Sequence, residues 1–419
     1  MSMLTFSPLV LSLSEQAQRD VQSRFAAIDA IAEVNTRKVL AAFQTARVAE
    51  AHFAGTTGYG YDDLGRDTLD AIYADIFRAE DALVRLQFVN GTHAIAACLY
   101  GVLEPGDVLL SAVGAPYDTL LGVIGVTGDH PQSLKRYGIG YREVPVSPEN
   151  VPDKAALRRM AADRAVRAVL IQRSRGYSTR DSLSVAEIGE LIAIVKAVNP
   201  AAVCIVDNCY GEFVEEREPT EVGADLVTGS LIKNPGGGLA PTGGYIAGRH
   251  ELVERAACRL TVPGIGRECG CTLGSNRALY QGLFLAPHTV AQAVKTAVFA
   301  ARVMDLLGYE AKPRWDEVRH DIIQMLSLNT PAGVEAFCGG IQSGSPVDSY
   351  VTPVAWDMPG YDVPVIMAAG AFIQGASIEL SADAPMRAPY TVYLQGGLTY
   401  ESGKTGIMLA VEKLLEKSE

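Results

Sequence analysis

Apolar residues recur at spacings of three and four through "SLSEQAQRDVQSRFAAIDAIAEVNTRKVLAAFQTARV", a run that closes near a Gly-Thr-Thr-Gly stretch, so residues 1–50 are expected to form a helical arm. The pattern then changes. "VRAVLIQRS" and "AVCIVDNCY" are continuous β-rich runs ending in polar residues, with the helix-like "SVAEIGELIAIVKAVN" between them. Strand, helix, strand in that order, without polar alternation in the strands, predicts a mostly parallel sheet buried on both faces.

Beyond about residue 286 a long helical pattern, "PHTVAQAVKTAVFAARVMDLLG", leads to short strand-like segments such as "FIQGASIEL" and "TVYLQGG". The expected organisation is therefore a large α/β domain over 51–285 and a smaller α/β domain over 286–419. The sequence contains no internal repeat and no low-complexity segment.

Composition narrows the function. The 419 residues suffice for a sizeable core. The chain has 36 basic and 48 acidic residues, a net charge of −12, and no basic block, which argues against nucleic-acid and anionic-membrane partners. The opening "MSMLTFSPLVLSLSEQ" lacks a basic leader and is too short and polar to span a bilayer, so a cytoplasmic protein is expected. The seven cysteines (98, 204, 209, 258, 269, 271, 338) form no Cys-x-x-Cys pair or metal-ligand pattern; they read as core thiols, and no metal is expected.

Candidate chemistry gathers at the ends of strand-like runs, where parallel sheets place their ligands. "GSLIKNPGGGLAPTGGY" sets Lys233 between Ser230 and a run of glycines. A nucleotide phosphate loop has its glycines before the lysine, so that reading fails. A Schiff-base lysine beside a flat carbonyl cofactor fits the order, and a surface turn fits the glycines equally well. "NGTHA" opens an apolar helix, where Gly91 and Thr92 suit either a phosphate or simple capping. Tyr117, in "SAVGAPYDT", has a ring that could stack on a cofactor or be ordinarily half-buried. Asp207, at the end of "VCIVDN", has a carboxylate suited to a pyridinium nitrogen or to a turn. Joined in sequence, these give phosphate cup, stacking ring, pyridinium partner and Schiff-base lysine.

This order, carried by "GYGYDDLGRDTLDAIYADIF", "NGTHAI", "APYDT", "IQRSRGYS", "VDNCYGEF", "GSLIKNPGG" and "LSADAPMRAPYTVYLQGGLTY", resembles the methionine gamma-lyase-like family, often labelled aluminium resistance proteins. The resemblance runs from about residue 15 to the end. It implies the fold-type I architecture of pyridoxal 5'-phosphate enzymes and a lyase related to the cystathionine gamma-synthase group, acting at Cβ or Cγ of a sulfur amino acid. Transamination or another pyridoxal-phosphate reaction, and non-catalytic cofactor binding, remain alternatives.

By the same resemblance Lys233 matches the cofactor lysine, Asp207 the ring-nitrogen partner, Tyr117 the stacking ring, and Gly91, Thr92 and Ser230 the phosphate cup. Tyr59 or Tyr61, with Arg66, matches groups that a neighbouring subunit supplies, which implies a homodimer or homotetramer with shared sites. Arg387 is the expected holder of the substrate carboxylate, with Arg173 and Arg175 as alternatives, because "IQRSRGYS" replaces the Pro-rich loop of the related lyases. Proton transfer by Lys233 would require its pKa to be lowered by a nearby cation or by desolvation.

Overall fold

The structure, a computed structural model, describes residues 4–147, 151–358 and 363–417. The chain divides into two units, Val34–Leu285 and a second made of the chain up to Glu33 together with the chain from Ala286 on. The predicted helical arm forms as α1 (Pro8–Asp20) and α2 (Gln22–Thr45), and the division falls within α2. Residues up to Glu33 thus group with the C-terminal residues and do not form a unit of their own.

In the first unit the strands are β1 (Asp81–Arg85), β2 (Val108–Ser111), β3 (Gly140–Glu143), β4 (Val166–Gln172), β5 (Val203–Asp207), β6 (Leu226–Ser230) and β7 (Gly244–Gly248). They form one sheet in the order β1-β7-β6-β5-β4-β2-β3. The β3, β2, β4, β5 and β6 neighbours pair in parallel, and β7 runs antiparallel to both β6 and β1. This is the mostly parallel sheet that the apolar runs predict. All of β5 and β6 is buried, as helices on both faces require.

The helices of this unit are α3 (Leu64–Ile76), α4 (Gly91–Val102), α5 (Asp118–Ile124), α6 (Lys154–Ala161), α7 (Val185–Val198) and α8 (His250–Leu260). Four of them, α3, α4, α6 and α7, start at a side-chain cap. The Asn90 side chain accepts from the His93 N–H at 2.9 Å to cap α4. Ser184 and Glu187 make a reciprocal capping box at α7, with bonds of 2.8 and 3.1 Å. Helix α4 lies against α8 so closely that a Cβ at Gly101 would be 3.1 Å from the Ala256 nitrogen. Ile95, Leu99, Leu109, Leu170, Ile205 and Ile246 fill the core beneath it.

Register aligns the chemistry. Gln172 pairs with Asp207, and Asp207 with Thr228, so the carboxyl ends of β4, β5 and β6 present one row of polar groups.

In the second unit β8 (Glu310–Lys312), β9 (Gln324–Ser327), β10 (Val365–Ala369), β11 (Ser381–Pro385) and β12 (Thr391–Gln395) form an antiparallel sheet ordered β10-β11-β12-β9-β8. Long helix α9 (Asn276–Leu306) precedes it, and α10 (Pro331–Ser343) and α11 (Tyr400–Glu416) pack together, a Cβ at Gly340 falling 2.2 Å from the Ala410 Cα. The sequence pattern differs from the structure in two places here. Helix α9 starts eleven residues before Pro287 and contains it. "FIQGASIEL" is not a strand: the Phe372 and Ile373 N–H groups donate to the Glu379 carboxylate at 2.9 and 3.0 Å, and the segment folds back on itself. Among the described residues no helix is long and apolar enough to cross a membrane.

Candidate active site

The glycines after Lys233 answer a packing demand. A Cβ at Gly236 would lie 1.9 Å from the Leu231 carbonyl oxygen, and one at Gly282 would lie 2.2 Å from the Gly236 carbonyl oxygen. Only bare backbone lets the segment turn tightly after β6 and leave Lys233 half-buried beside the end of β5. Asn234 anchors the turn by donating to the Glu212 carbonyl at 3.0 Å. The Lys233 Nζ stands 3.8 Å from the centre of the Tyr210 ring.

Asp207 is buried at the tip of β5, where its Oδ1 accepts from the Cys209 N–H at 3.1 Å. Burial pushes its carboxyl above the ordinary value, and the Lys233 charge and the Cys209 N–H oppose that shift. For Lys233, burial works against the charge, but Cys209, Tyr210 and Asp207 outweigh it and hold the amine well above the ordinary lysine value. The amine that the sequence pattern needs lowered is therefore held as an ammonium, with the Tyr210 ring and Asp207 among the groups that favour its charge.

Ser230 and the start of α4 meet above this floor. A Cβ at Gly91 would lie 3.2 Å from the Cys209 Sγ and 3.3 Å from the Ser230 Cβ. The Ser230 Oγ is buried and has no hydrogen-bond partner, although an unmatched buried hydroxyl is costly. A helix N-terminus beside an unsatisfied hydroxyl fits the phosphate of the implied cofactor. Tyr117, half-buried just before α5, donates from its hydroxyl to the Thr92 Oγ1 at 2.9 Å, and its N–H donates to the Gln172 Oε1 at 3.0 Å. Burial raises its phenol well above the ordinary value, so Tyr117 is neutral.

The structure separates the expected arginines. Arg173 is wholly buried and donates to the Asn208 Oδ1 at 2.8 Å and the Glu215 Oε1 at 2.7 Å, with Glu218 3.8 Å away. Its side chain serves the turn after β5. Arg175 is also buried; it reaches the exposed Asp181 at 3.4 Å, while its Nε and Nη1 have no partner. Arg387 belongs to the other unit, exposed just after β11. Arg66 is buried within its own chain, donating to the Gly60 and Gly270 carbonyls at 2.6 and 3.1 Å and to Asp67 at 2.8 Å. Tyr59 and Tyr61 stack on each other, their centroids 5.6 Å apart, and both are exposed.

Several groups at the site were not singled out from sequence. Cys209 and Tyr210 stand two and three residues after Asp207, and their signal was present in "VDNCYGEF". Glu212 lies deeper. It accepts from the Tyr245 hydroxyl at 2.8 Å, and burial pushes its carboxyl up to about 8.

A family profile described as methionine gamma-lyase matches residues 10–415. The chain belongs to the methionine gamma-lyase family. A member of similar length, the uncharacterized protein YnbB of Bacillus subtilis (strain 168), is 49% identical over 415 residues, covering 99% of this chain and 98% of its own. The L-methionine gamma-lyase of Pseudomonas putida is 27% identical over 316 residues, 72% of each chain. A crystal structure described as a carbon-sulfur lyase involved in aluminum resistance, from Clostridium novyi NT, superposes with a TM-score of 0.93 at 51% identity, covering 97% of this chain and 96% of that one. The pyridoxal-5'-phosphate dependent protein YhfS from Escherichia coli, at 18% identity and a TM-score of 0.62, shares the fold. Methionine gamma-lyase family membership and these neighbours establish the fold-type I α/β architecture and support a carbon–sulfur lyase-like function.

Proposed function

We propose that the protein is a pyridoxal-phosphate-dependent lyase that cleaves or replaces the sulfur-bearing group at Cβ or Cγ of an amino acid. The observation that carries this reading is the half-buried Lys233 beside Asp207, with the unpartnered Ser230 hydroxyl next to the Gly91 helix start. Pyridoxal phosphate, when bound, supplies a carbonyl for the amine and a ring that accepts electrons from Cα. Gly91, Thr92 and Ser230 would bind the phosphate. Asp207 would hold a proton at the ring nitrogen, a role that a buried carboxylate fills once an opposite charge faces it. Tyr117, fixed by Thr92 and Gln172, would wall one side of the ring.

Lys233 would take the proton from the substrate Cα and return it further along the molecule. Arg387 would hold the substrate carboxylate, and Arg175, with two buried nitrogens unpartnered, is the second group suited to that work. We further propose that two copies complete each site through Tyr59 and Tyr61, and that the enzyme works in the cytoplasm.

Two measurements test the reading. Borohydride reduction of the yellow protein, followed by peptide mapping, should place the cofactor on Lys233, and attachment elsewhere would overturn the assignment. Incubation with cystathionine or methionine should release a 2-oxo acid, ammonia and a thiol, and incubation with cysteine a 2-oxo acid, ammonia and hydrogen sulfide. Transfer of the amino group to the cofactor without release of a thiol would reject the lyase in favour of a transaminase.

A further inference from the structure

Tyr210 occupies a position that a bulky residue ordinarily avoids. The Gly211 N–H donates to the Asn208 carbonyl at 2.9 Å, closing a turn in which Tyr210 is the third residue, with φ of 74°. Turns with a positive φ at that position favour Gly, because a side chain there crowds the backbone. This chain has a glycine one residue later, where a Cβ would lie 2.4 to 2.6 Å from the Arg173 side chain. The strained position therefore carries the tyrosine.

What holds the turn is the buried set around Arg173. Arg173 donates to the Asn208 Oδ1, the Asn208 Nδ2 donates to the Glu218 Oε2 at 2.9 Å, and the Phe213 N–H donates to the Glu218 Oε1 at 3.0 Å. Cys209 is tied to Asp207 through its N–H. Strain of this kind persists only where the surroundings over-determine the backbone, and it gathers at functional sites. Its product is the 3.8 Å contact between the Tyr210 ring and the Lys233 Nζ.

We propose that Tyr210 is a further catalytic residue, which holds the Lys233 ammonium against its ring face and so times the proton's onward transfer. The inference rests on the reading of Lys233 as the reacting amine. When Lys233 takes the substrate proton, a C–H bond breaks, its electron pair stays on carbon, and an N–H bond forms. The new cation then faces an aromatic ring, whose negative face attracts it.

The titratable groups acting on Lys233 are Asp207 at the tip of β5, Cys209, Tyr210 and Glu212 on the segment following it, and Tyr117 ahead of α5. All of them except Tyr210 stay in place in Tyr210 variants, so the variants isolate its part.

The test uses the full chain in two forms. In the cofactor-stripped protein, competitive acetylation with isotopic acetic anhydride, read on the Lys233 peptide by mass spectrometry, gives the titration of this amine. Tyr210→Gly suits the backbone and should keep or raise the melting temperature, yet lower the Lys233 midpoint by about one pH unit, a tenfold change in the unprotonated fraction below it. Tyr210→Phe, which keeps the ring face, should stay close to wild type. In the loaded enzyme the rising limb of the pH–turnover profile should move to lower pH in the same order.

An unchanged Lys233 midpoint in a folded Tyr210→Gly protein would overturn the proposal. A borohydride adduct that persists in Lys233→Ala would overturn the underlying reading of Lys233, a failure separable from the first because it does not involve Tyr210.

Discussion

Arg173 and Glu215 meet at 2.7 Å, the guanidinium fully buried and the carboxylate only partly so. The same guanidinium lies 3.8 Å from the buried Glu218, whose carboxyl burial pushes up and Arg173 pulls back down. Removing one member of such a set strands the others. Arg173→Ala is expected to cost about 3–5 kcal/mol of stability, measured by urea denaturation. An arginine that merely held substrate would leave stability within about 0.5 kcal/mol and raise the Michaelis constant instead.

Ser230→Ala should separate the phosphate from the rest of the cofactor. Its hydroxyl is buried and unmatched, so the cofactor-free variant should melt no lower than wild type. Affinity for pyridoxal phosphate should fall by about 10- to 150-fold, the worth of a hydrogen bond to a charged group at about 1.5–3 kcal/mol. Affinity for pyridoxal, which lacks the phosphate, should be unchanged. Equal losses for both compounds would move Ser230 out of the phosphate cup.

Glu212 makes stability depend on pH in a defined direction. Its carboxyl sits at about 8 in the folded chain against an ordinary 4.5. Below the lower value both folded and unfolded chains carry the proton; between the two values only the folded chain does. Its contribution is thus fully present at acid pH and is lost as pH rises towards about 8, at up to about 1.4 kcal/mol per unit. Glu212→Gln should flatten the pH dependence of the urea midpoint across that window. Parallel curves for wild type and variant would show that Glu212 does not titrate there.

The shared site has its own test, and the geometry changes which residue to use. Arg66 is committed to Gly60 and Gly270 in its own chain, so Arg66→Ala should lower stability before it touches activity. Tyr59 is exposed and is the better probe. Subunits carrying Lys233→Ala and subunits carrying Tyr59→Ala, each inactive alone, should regain activity when exchanged, because one site of each hybrid then has neither lesion. Verified hybrids without activity would confine Tyr59 to its own chain.

The sheet and the polar row at its carboxyl end were readable because both depend on local order. The apolar runs of β4 and β5, each ending in polar residues, gave the strand tips, and Ser230, Lys233 and Asp207 fell there. What escaped depends on distant partners. Arg173 looks like any arginine after a strand until Glu215 and Glu218 come round to meet it, and Arg66 is claimed by a carbonyl 204 residues away. "FIQGASIEL" has the composition of a strand, yet Glu379 gathers its N–H groups into a turn. Pro287 reads as a helix start because proline favours the first turn, but α9 carries it in its interior.

The grouping of the first helix with the C-terminal residues has a consequence for synthesis on the ribosome. Ser7 donates to Glu412 through both its N–H and its hydroxyl, at 3.1 and 3.2 Å, and Phe25 meets Tyr400 edge-on at 4.9 Å. The strands of the seven-stranded sheet have all emerged by Gly248, so that sheet can close while translation continues. Helix α1 has no such opportunity: its partner Glu412 lies 405 residues further along the chain than Ser7, and its apolar side must wait until that part is made. A nascent chain stalled before α11 should therefore expose α1 to chaperones and proteases while the sheet behind it is already protected.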